Sequence, residues 1–364
     1  MKHFTLRPWV CALLAAASVA AVGCEDESDR ATDVDTLRLL AVRAETPFAK
    51  SGSQVPMEAL VFDGSPHAVR PDGTKRPVEV LWLGGCVNPP GDDFRTCNPY
   101  LYELLATLGD SGLASHQVPA GAPAGVVGWG TTFTAVVPQN AISSRPQAPD
   151  VVHPYSVQFV FTIACAGEIV RLPGADPTKQ FPLGCRDPGT GVMLGRDDFE
   201  FGYFPLYVYD DIENHAPDLQ EISVDGKVDG AACSATNPCP ANMHCGTAGV
   251  CLVVVPRCGE SDADDCNSHP VAIKLGNPVS EPDVTARIPA DQAAMETVWV
   301  SYYANAGSFD KGSRIIYDSN SGWGEEFHGA WRSNVASGTE ARLWAVVHDS
   351  RNGVSWRWQD VWVE

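Results

Sequence analysis

The chain has 364 residues, enough for two or three domains, and a formal net charge of −20 at pH 7. Phosphate backbones repel so acidic a chain, which excludes nucleic acid as an expected partner. Familiar catalytic patterns are missing from the sequence: the Gly-x-Ser-x-Gly elbow, the His-Glu-x-x-His helix, the phosphate-binding loop and the dinucleotide fingerprint. We therefore expect a protein that is not an enzyme and that needs no cofactor or metal. A Ser/His/Asp triad assembled only in space would escape this search.

Residues 1–23 have the pattern of an export signal. Two cations precede an uncharged run from Trp9 to Val22, which is shorter than the about 20 apolar residues of a transmembrane helix. The run ends in Ala21-Val22-Gly23-Cys24, which resembles the lipobox of bacterial lipoproteins. The resemblance implies cleavage before Cys24 and a lipid on its thiol, so the first expected partner is a lipid bilayer. The alternatives are an ordinary secretory signal, or a membrane anchor with a chance cysteine. The sequence has no other long apolar run, so no membrane span is expected.

A tether and a first β-rich block follow the signal. Residues 24–35 are polar and acidic, and they predict a flexible tether between lipid and fold. Residues 36–213 contain short β-rich runs split by Pro, Gly, Asn and Asp, which predicts a β-sandwich with insertions. The stretch Pro99–Leu108 predicts an inserted helix. The predicted strands are Leu37–Val42, Met57–Phe62, Val78–Leu83, Thr131–Val137, Tyr155–Cys165 and Tyr203–Tyr209.

A second β-rich block begins after a linker. Residues 214–229 hold this linker and a first strand, Leu219–Val224. A cysteine-rich module at 230–268 interrupts the block, and residues 269–364 complete it as a second sandwich. Asn352-Gly353, between two alternating runs, is a strong hairpin signal. The other predicted strands are Val271–Leu275, Val298–Tyr303, Ala341–His348 and Val354–Val363.

The first block resembles immunoglobulin-like domains. A Trp in the third strand and a long aromatic strand near the end carry the resemblance, which implies that Trp82 is the core aromatic residue. The usual inter-sheet cysteine pair is missing, because no cysteine precedes Cys86 in the block. The predicted fold class is therefore all-β: two immunoglobulin-like β-sandwiches with a disulfide-stapled cysteine-rich module inserted between them.

The twelve cysteines are consistent with export. Cys11 leaves with the signal and Cys24 carries the lipid, so the remaining ten can all pair in an oxidising compartment. Pairing of cysteines that are close in sequence predicts the bridges Cys86–Cys97 and Cys165–Cys185. The last six cysteines resemble small EGF-like or Dickkopf-like modules and leave many pairings open. The preferred pairs are Cys233–Cys245, Cys239–Cys251 and Cys258–Cys266.

Metal binding is the competing interpretation of this module. His244 and His269 lie nearby, but the tight Cys-x2-4-Cys pairs typical of zinc sites are missing. The acidic run at 260–265 lacks the Gly and the terminal Glu of a calcium loop. No metal site is therefore expected.

Tryptophan is concentrated in the C-terminal third of the chain. Exposed Trp residues can stack on sugar rings or anchor a protein partner, whereas buried ones fill sandwich cores. Trp323 and Trp331 occur in Gly-, Ser- and Asn-rich stretches and are the candidate binding residues; a core role for the cluster is the alternative. The residues are Trp299, Trp323, Trp331, Trp344, Trp356, Trp358 and Trp362.

As a whole, the chain is similar to the uncharacterised multi-domain lipoproteins of myxobacteria. The similarity rests on the lipobox, the run Leu37–Ala44, the cysteine module and Asp349-Ser350-Arg351-Asn352-Gly353 before a Trp-rich last strand. It implies a lipid-anchored envelope protein, with the outer membrane as the expected location. The expected function is non-catalytic binding or adhesion to a protein or a glycan. The alternatives are an accessory subunit of an envelope complex and an unrecognised hydrolase.

Overall fold

The computed structural model describes residues 32–70, 72–118, 122–172, 174, 176, 181–258, 268–286, 294–324 and 326–364. Strands predominate and form two pairs of stacked sheets, so the predicted all-β class is confirmed. The signal and Cys24 lie outside the described residues. Within the described ranges, no helix has both the length and the apolarity to cross a membrane.

The N-terminal sandwich contains every strand that the sequence predicts for it, together with short strands that have no clear apolar pattern. A three-stranded sheet, in the order β1-β3-β6, faces a five-stranded sheet in the order β2-β10-β7-β4-β5, and β8 and β9 form a separate hairpin. The bounds are β1 (Leu37–Ala44), β2 (Phe48–Ala49), β3 (Gln54–Asp63), β4 (Glu79–Val87), β5 (Val127–Trp129), β6 (Thr132–Val136), β7 (Tyr155–Cys165), β8 (Glu168–Arg171), β9 (Leu183–Arg186) and β10 (Phe199–Tyr209).

Trp82 lies at the centre of the N-terminal core, as predicted. Its ring is fully buried and stacks on Phe133 at 5.4 Å between centroids. Its indole N–H donates to the carbonyl oxygen of Gly130 at 2.7 Å. A buried Trp needs such a partner, because an unpaired N–H in the core would cost free energy.

The predicted helix is present as α1 (Asn98–Ser115) and is longer than predicted. The prediction ended at Leu108, one residue before Gly109, whose φ of 66° interrupts the helix. Leu101 and Leu105, four residues apart, are buried in a cluster with the outer side chains of β4 and β7. Because α1 covers this face, β7 is buried on both faces. Three 3-10 turns complete the block, at Pro90–Asp92, Phe94–Cys97 and Arg196–Asp198.

The C-terminal sandwich pairs a four-stranded sheet, β11-β14-β19-β16, with a seven-stranded sheet, β12-β13-β21-β20-β15-β17-β18. The predicted hairpin joins β20 to β21, and Asn352 takes the left-handed conformation with φ 70°. The bounds are β11 (Leu219–Val224), β12 (Met243–Cys245), β13 (Cys251–Val255), β14 (His269–Leu275), β15 (Val298–Ala304), β16 (Ser308–Phe309), β17 (Ser313–Asp318), β18 (Gly322–Trp323), β19 (Gly329–Arg332), β20 (Thr339–Asp349) and β21 (Val354–Val363).

The cysteine-rich module is fused to this sandwich and is not a separate unit. Its strand β13 pairs in parallel with β21, with Val253 opposite Val361. Val253 and Val255 are fully buried in the sandwich core. The apolar strand β13 therefore anchors the second half of the module to the sheet, in addition to its disulfides.

The two sandwiches pack against each other along β1 and β21. Trp344 and Trp356, on the outer face of the seven-stranded sheet, are buried against Leu40 and Ala41 of β1. The end of the predicted tether also belongs to this contact. The amide N–H of Val34 donates to the carbonyl oxygen of Ala304 at 2.8 Å, and Val34 is buried. The predicted flexibility is therefore wrong for residues 32–35, which form part of the folded structure.

Candidate binding cleft between the two sandwiches

The two predicted binding tryptophans have opposite environments. Trp331 is 0% exposed; it lies in β19, and its indole N–H donates to the carbonyl oxygen of Ala306 at 3.1 Å. A ligand cannot reach this ring, so the prediction of a binding role for Trp331 is wrong. Trp323 is 58% exposed, and the edge of its ring contacts Tyr317 at the border of the seven-stranded sheet. Trp323 is therefore accessible, but it lines neither of the two largest clefts described below.

The other tryptophans divide between core and surface. Trp344 and Trp356 fill the contact between the sandwiches, as the core interpretation expects. Trp358 is 48% exposed, with the Arg342 guanidinium 5.6 Å from its ring. Trp362 stacks on His244 at 3.7 Å.

The disulfide bonds agree with the preferred pairing wherever the structure describes both cysteines. Four bridges join Cys86 to Cys97, Cys165 to Cys185, Cys233 to Cys245 and Cys239 to Cys251. Cys258 is disulfide-bonded as well, while Cys266 lies outside the described residues.

One group of cysteine sulfurs is close enough together to suggest a metal site. The sulfur atoms of Cys233, Cys239 and Cys251 lie within 4.8 Å of one another. All three are already bonded in disulfides, and zinc needs free thiolates. The cluster is therefore structural.

A cleft of about 580 Å³ lies where the two sandwiches meet at β2 and β10. The N-terminal sandwich contributes an aromatic wall and the segment from Asp150 to His153. The C-terminal sandwich contributes Ser350 and Arg351 from the β20–β21 turn, and Val284 to Ala286. The cleft therefore exists only while the two sandwiches are docked together.

The aromatic wall comes from the outer face of the five-stranded sheet. Tyr207 and Tyr209 are two residues apart on β10, so their side chains point to the same face, and Phe48 lies beside Tyr207 in register. Phe48 and Tyr209 lie 4.7 Å apart between centroids, and Tyr155 stacks on Tyr209 at 5.8 Å. Tyr207 and Tyr155 remain only partly buried. Side chains of this kind offer large rigid contact area at low entropic cost.

The floor of the cleft is a buried polar junction centred on Arg351. This guanidinium donates to Glu296 at 2.8 Å and to Glu281 at 3.1 Å, and it lies 5.6 Å from the Phe48 ring. Asn214 donates to the carbonyl oxygen of Arg351 at 3.1 Å. Asp349 accepts the N–H groups of Arg351 and Gly353, at 2.7 and 2.8 Å, which fixes the turn. The predicted linker is thus attached to the same turn that supports the cleft.

Burial strongly perturbs the ionisable groups of this junction. Burial raises the pKa of Glu296 to about 7, and repulsion by Asp349 adds to the rise while Arg351 opposes it. Burial also raises the pKa of Asp349 above its usual range. Within the wall, burial raises the pKa of Tyr209 to about 12, with a contribution from the nearby Asp283 and Asp211. The Tyr209 phenol is therefore neutral at physiological pH.

A larger groove, of about 750 Å³, runs along β3 and β6. Its main charged residues already satisfy each other, because Arg43 donates to Glu58 at 2.6 Å. The Arg43 guanidinium also covers the ring of Trp356 at 4.1 Å. Two partly exposed aromatic rings, Tyr155 and Tyr207, line the smaller cleft, whereas the groove has one, Trp129, so the smaller cleft is the better candidate site.

Sequence analysis missed this cleft. The aromatic residues at 207 and 209 share one strand face, which was a usable signal, but nothing in the sequence links them to Arg351. The chemistry of the cleft is that of recognition: aromatic rings, phenol hydroxyls and carboxylates are arranged around a rigid floor.

No protein-family profile matches the chain, and no curated protein matches it in sequence. Among solved structures, it is similar to Escherichia coli alpha-2-macroglobulin activated by porcine elastase, at 9% identity and a TM-score of 0.19. That match covers 91% of this chain but 22% of the other, so the chain spans less than a quarter of that protein. A match to Drosophila OTK, extracellular domains 3-5, has 8% identity and a TM-score of 0.15, and covers 92% of this chain and 99% of the other.

Proposed function

We propose that this protein is a cell-envelope lipoprotein, anchored at the outer membrane through Cys24, that binds a protein or glycan ligand without converting it chemically. The aromatic cleft between the two sandwiches is the observation that carries the binding role. The lipobox-like run ending at Cys24 supports the anchor. Every cysteine in the described residues is disulfide-bonded, which supports an exported protein because such bonds persist in oxidising compartments.

The construction of the cleft favours binding. Its aromatic wall belongs to the five-stranded sheet and its floor is an ion-paired junction, so these parts of the site are preformed and lose little ordering entropy when a ligand enters. Val152 at the rim is 80% exposed, and Val284 on the opposite side is 47% exposed. A ligand that covers these apolar side chains removes their surface from water, which favours binding.

The anchor is tested by replacing Cys24 with Ala and separating membrane from soluble fractions. We expect the wild-type protein to incorporate labelled fatty acid and to sediment with membranes. The Cys24→Ala protein should do neither. Retention of the variant in the membrane fraction would show that something other than lipid on Cys24 holds the protein.

The cleft is tested by placing a photo-crosslinking amino acid at Val152 in the native bacterium. Val192 is a matched control, because it is also an exposed valine of the N-terminal sandwich and does not line the cleft. We expect a discrete crosslinked product at position 152 and none at 192. No product at 152, or equal products at both positions, would refute a ligand-binding cleft. The mass of the product also distinguishes a free ligand from a subunit of an envelope complex.

A further inference from the structure

We infer that the ligand of this cleft is a basic polypeptide segment whose Lys or Arg side chains lie against Tyr207 and Tyr209 and face the carboxylates of Asp150 and Asp283. This inference rests on the proposed function, since it names the chemistry of the ligand that the same cleft accepts. It is carried by three features: the charges around the cleft, the chemistry of its wall and the charge of the whole chain.

The charge balance of the cleft is the first feature. Arg351, the cation of its floor, is neutralised by Glu281 and Glu296, and the ring of His153 is paired with Asp211 at 2.8 Å. Two carboxylates have no cationic partner among the described residues: Asp150 lines the cleft, and Asp283 directly precedes the lining segment 284–286 and lies close enough to Tyr209 to raise its pKa. Asp150 makes no side-chain hydrogen bond or ion pair there, and Asp283 accepts only from the backbone N–H and hydroxyl of Thr285. Among the described residues, the unneutralised charge at the cleft is therefore negative.

The chemistry of the wall is the second feature. Arg and Lys side chains bind the faces of aromatic rings through the ring quadrupole. The wall already holds two such contacts within the protein: the Arg145 guanidinium lies 4.1 Å over Tyr155, and Arg351 lies 5.6 Å from Phe48. The partly buried Tyr207 ring has no guanidinium stacked on it in the described structure. It is thus the natural place for a cation supplied by a partner.

The charge of the whole chain is the third feature. At −20, the protein attracts basic partners and speeds their approach at low ionic strength. A neutral glycan would gain contact with the rings but nothing from this field. A basic segment gains from both, so the observations favour it over a glycan.

The test measures binding of a fluorescent octa-arginine peptide and of a neutral chitin oligosaccharide to the whole protein by anisotropy and calorimetry. We expect the peptide to bind and its affinity to fall at least about fivefold when Asp150→Asn and Asp283→Asn are combined. Glu103→Gln removes an exposed carboxylate on α1, away from the cleft, and should change the affinity by less than about twofold. Raising the salt concentration from about 0.05 to about 0.5 M should weaken peptide binding, because a shorter Debye length screens the attraction between exposed charges.

The contribution of the ring is tested at Tyr207. Tyr207→Leu should lower peptide affinity about fivefold or more, and Tyr207→Phe, which keeps the ring, should restore it. Circular dichroism of both variants checks that the fold is intact.

Three outcomes would overturn the inference. The first is no peptide binding at low salt. The second is an equal loss of affinity in the Glu103→Gln control, which would mean diffuse attraction to an acidic surface. The third is that the oligosaccharide binds in a way that depends on Tyr207 while the peptide does not bind. In that case the proposed binding function would stand, and the ligand would be a glycan and not a basic polypeptide. Failure of the crosslink at Val152 would instead remove the cleft itself.

Discussion

Replacing Arg351 with Leu should weaken the junction between the two sandwiches more than any surface substitution. The Arg351 side chain is 3% exposed, and it neutralises Glu296, whose side chain is 2% exposed. Removing one partner of a buried ion pair typically costs about 3–5 kcal/mol, because it leaves the other charge buried and unpaired. We therefore expect the free energy of unfolding at pH 8 to fall by about 3–5 kcal/mol.

The loss should depend on pH in a direction that the structure fixes. The pKa of Glu296 is already raised to about 7, and losing Arg351 raises it further. An acid whose pKa is higher in the folded state contributes stability below its unfolded pKa, and that contribution is lost as the pH rises. At pH 5.5 Glu296 is protonated in the variant, so the remaining cost is that of unmet hydrogen bonds, about 1–3 kcal/mol. Arg351→Leu should thus be milder at pH 5.5 than at pH 8.

Urea unfolding at the two pH values, followed by tryptophan fluorescence and circular dichroism, measures this difference. Coincident transitions in the two signals would show that the sandwiches unfold together. Arg95→Leu is the control, because Arg95 forms an exposed ion pair with Asp93 and its loss should have no measurable effect. The double variant Arg351→Leu/Glu296→Leu removes both charges and should recover part of the stability that Arg351→Leu loses. Equal losses at both pH values, or a loss below about 1 kcal/mol at pH 8, would refute the reasoning.

The remaining predictions concern burial, covalent bridging and titration. Trp331→Ala should lower the free energy of unfolding by about 3–5 kcal/mol, whereas Trp323→Ala should change it by less than about 1 kcal/mol; urea melts compare them, and equal losses would contradict their different burial. Replacing Cys165 and Cys185 together with Ala should cost about 3 kcal/mol by thermal unfolding, since the bridge spans 20 residues; a variant as stable as the wild type would contradict this. Burial lowers the pKa of His348 from the usual 6.5 of histidine to about 4, so stability is lost as the pH falls from 6.5 toward 4. His348→Gln should flatten that part of the pH profile of unfolding, and an unchanged profile would show that another group is responsible.

The local elements of this protein could be predicted from its sequence because short-range patterns determine them. Large apolar side chains alternate with smaller or polar ones along β7, and β20 and β21 flank an Asn-Gly pair, so periodicity and turn chemistry were sufficient. Near neighbours in the chain also determine the bridges Cys86–Cys97 and Cys165–Cys185, because their loops are short. The helix was found, but the turn beyond Gly109 was missed because glycine usually marks a helix end.

Tertiary structure alone decided which aromatic residues are available to a ligand. Trp323 and Trp331 lie in similar sequence surroundings, yet Trp323 is at the edge of a sheet and Trp331 is in the core between two sheets. Burial depends on which strands stack on each other and not on the residues nearby in the chain. The cleft has the same origin: Tyr207 and Arg351 are far apart in sequence and meet only because β1 packs on β21. Such long-range contacts leave no periodic trace in the sequence, whereas an alternating strand or a local disulfide does.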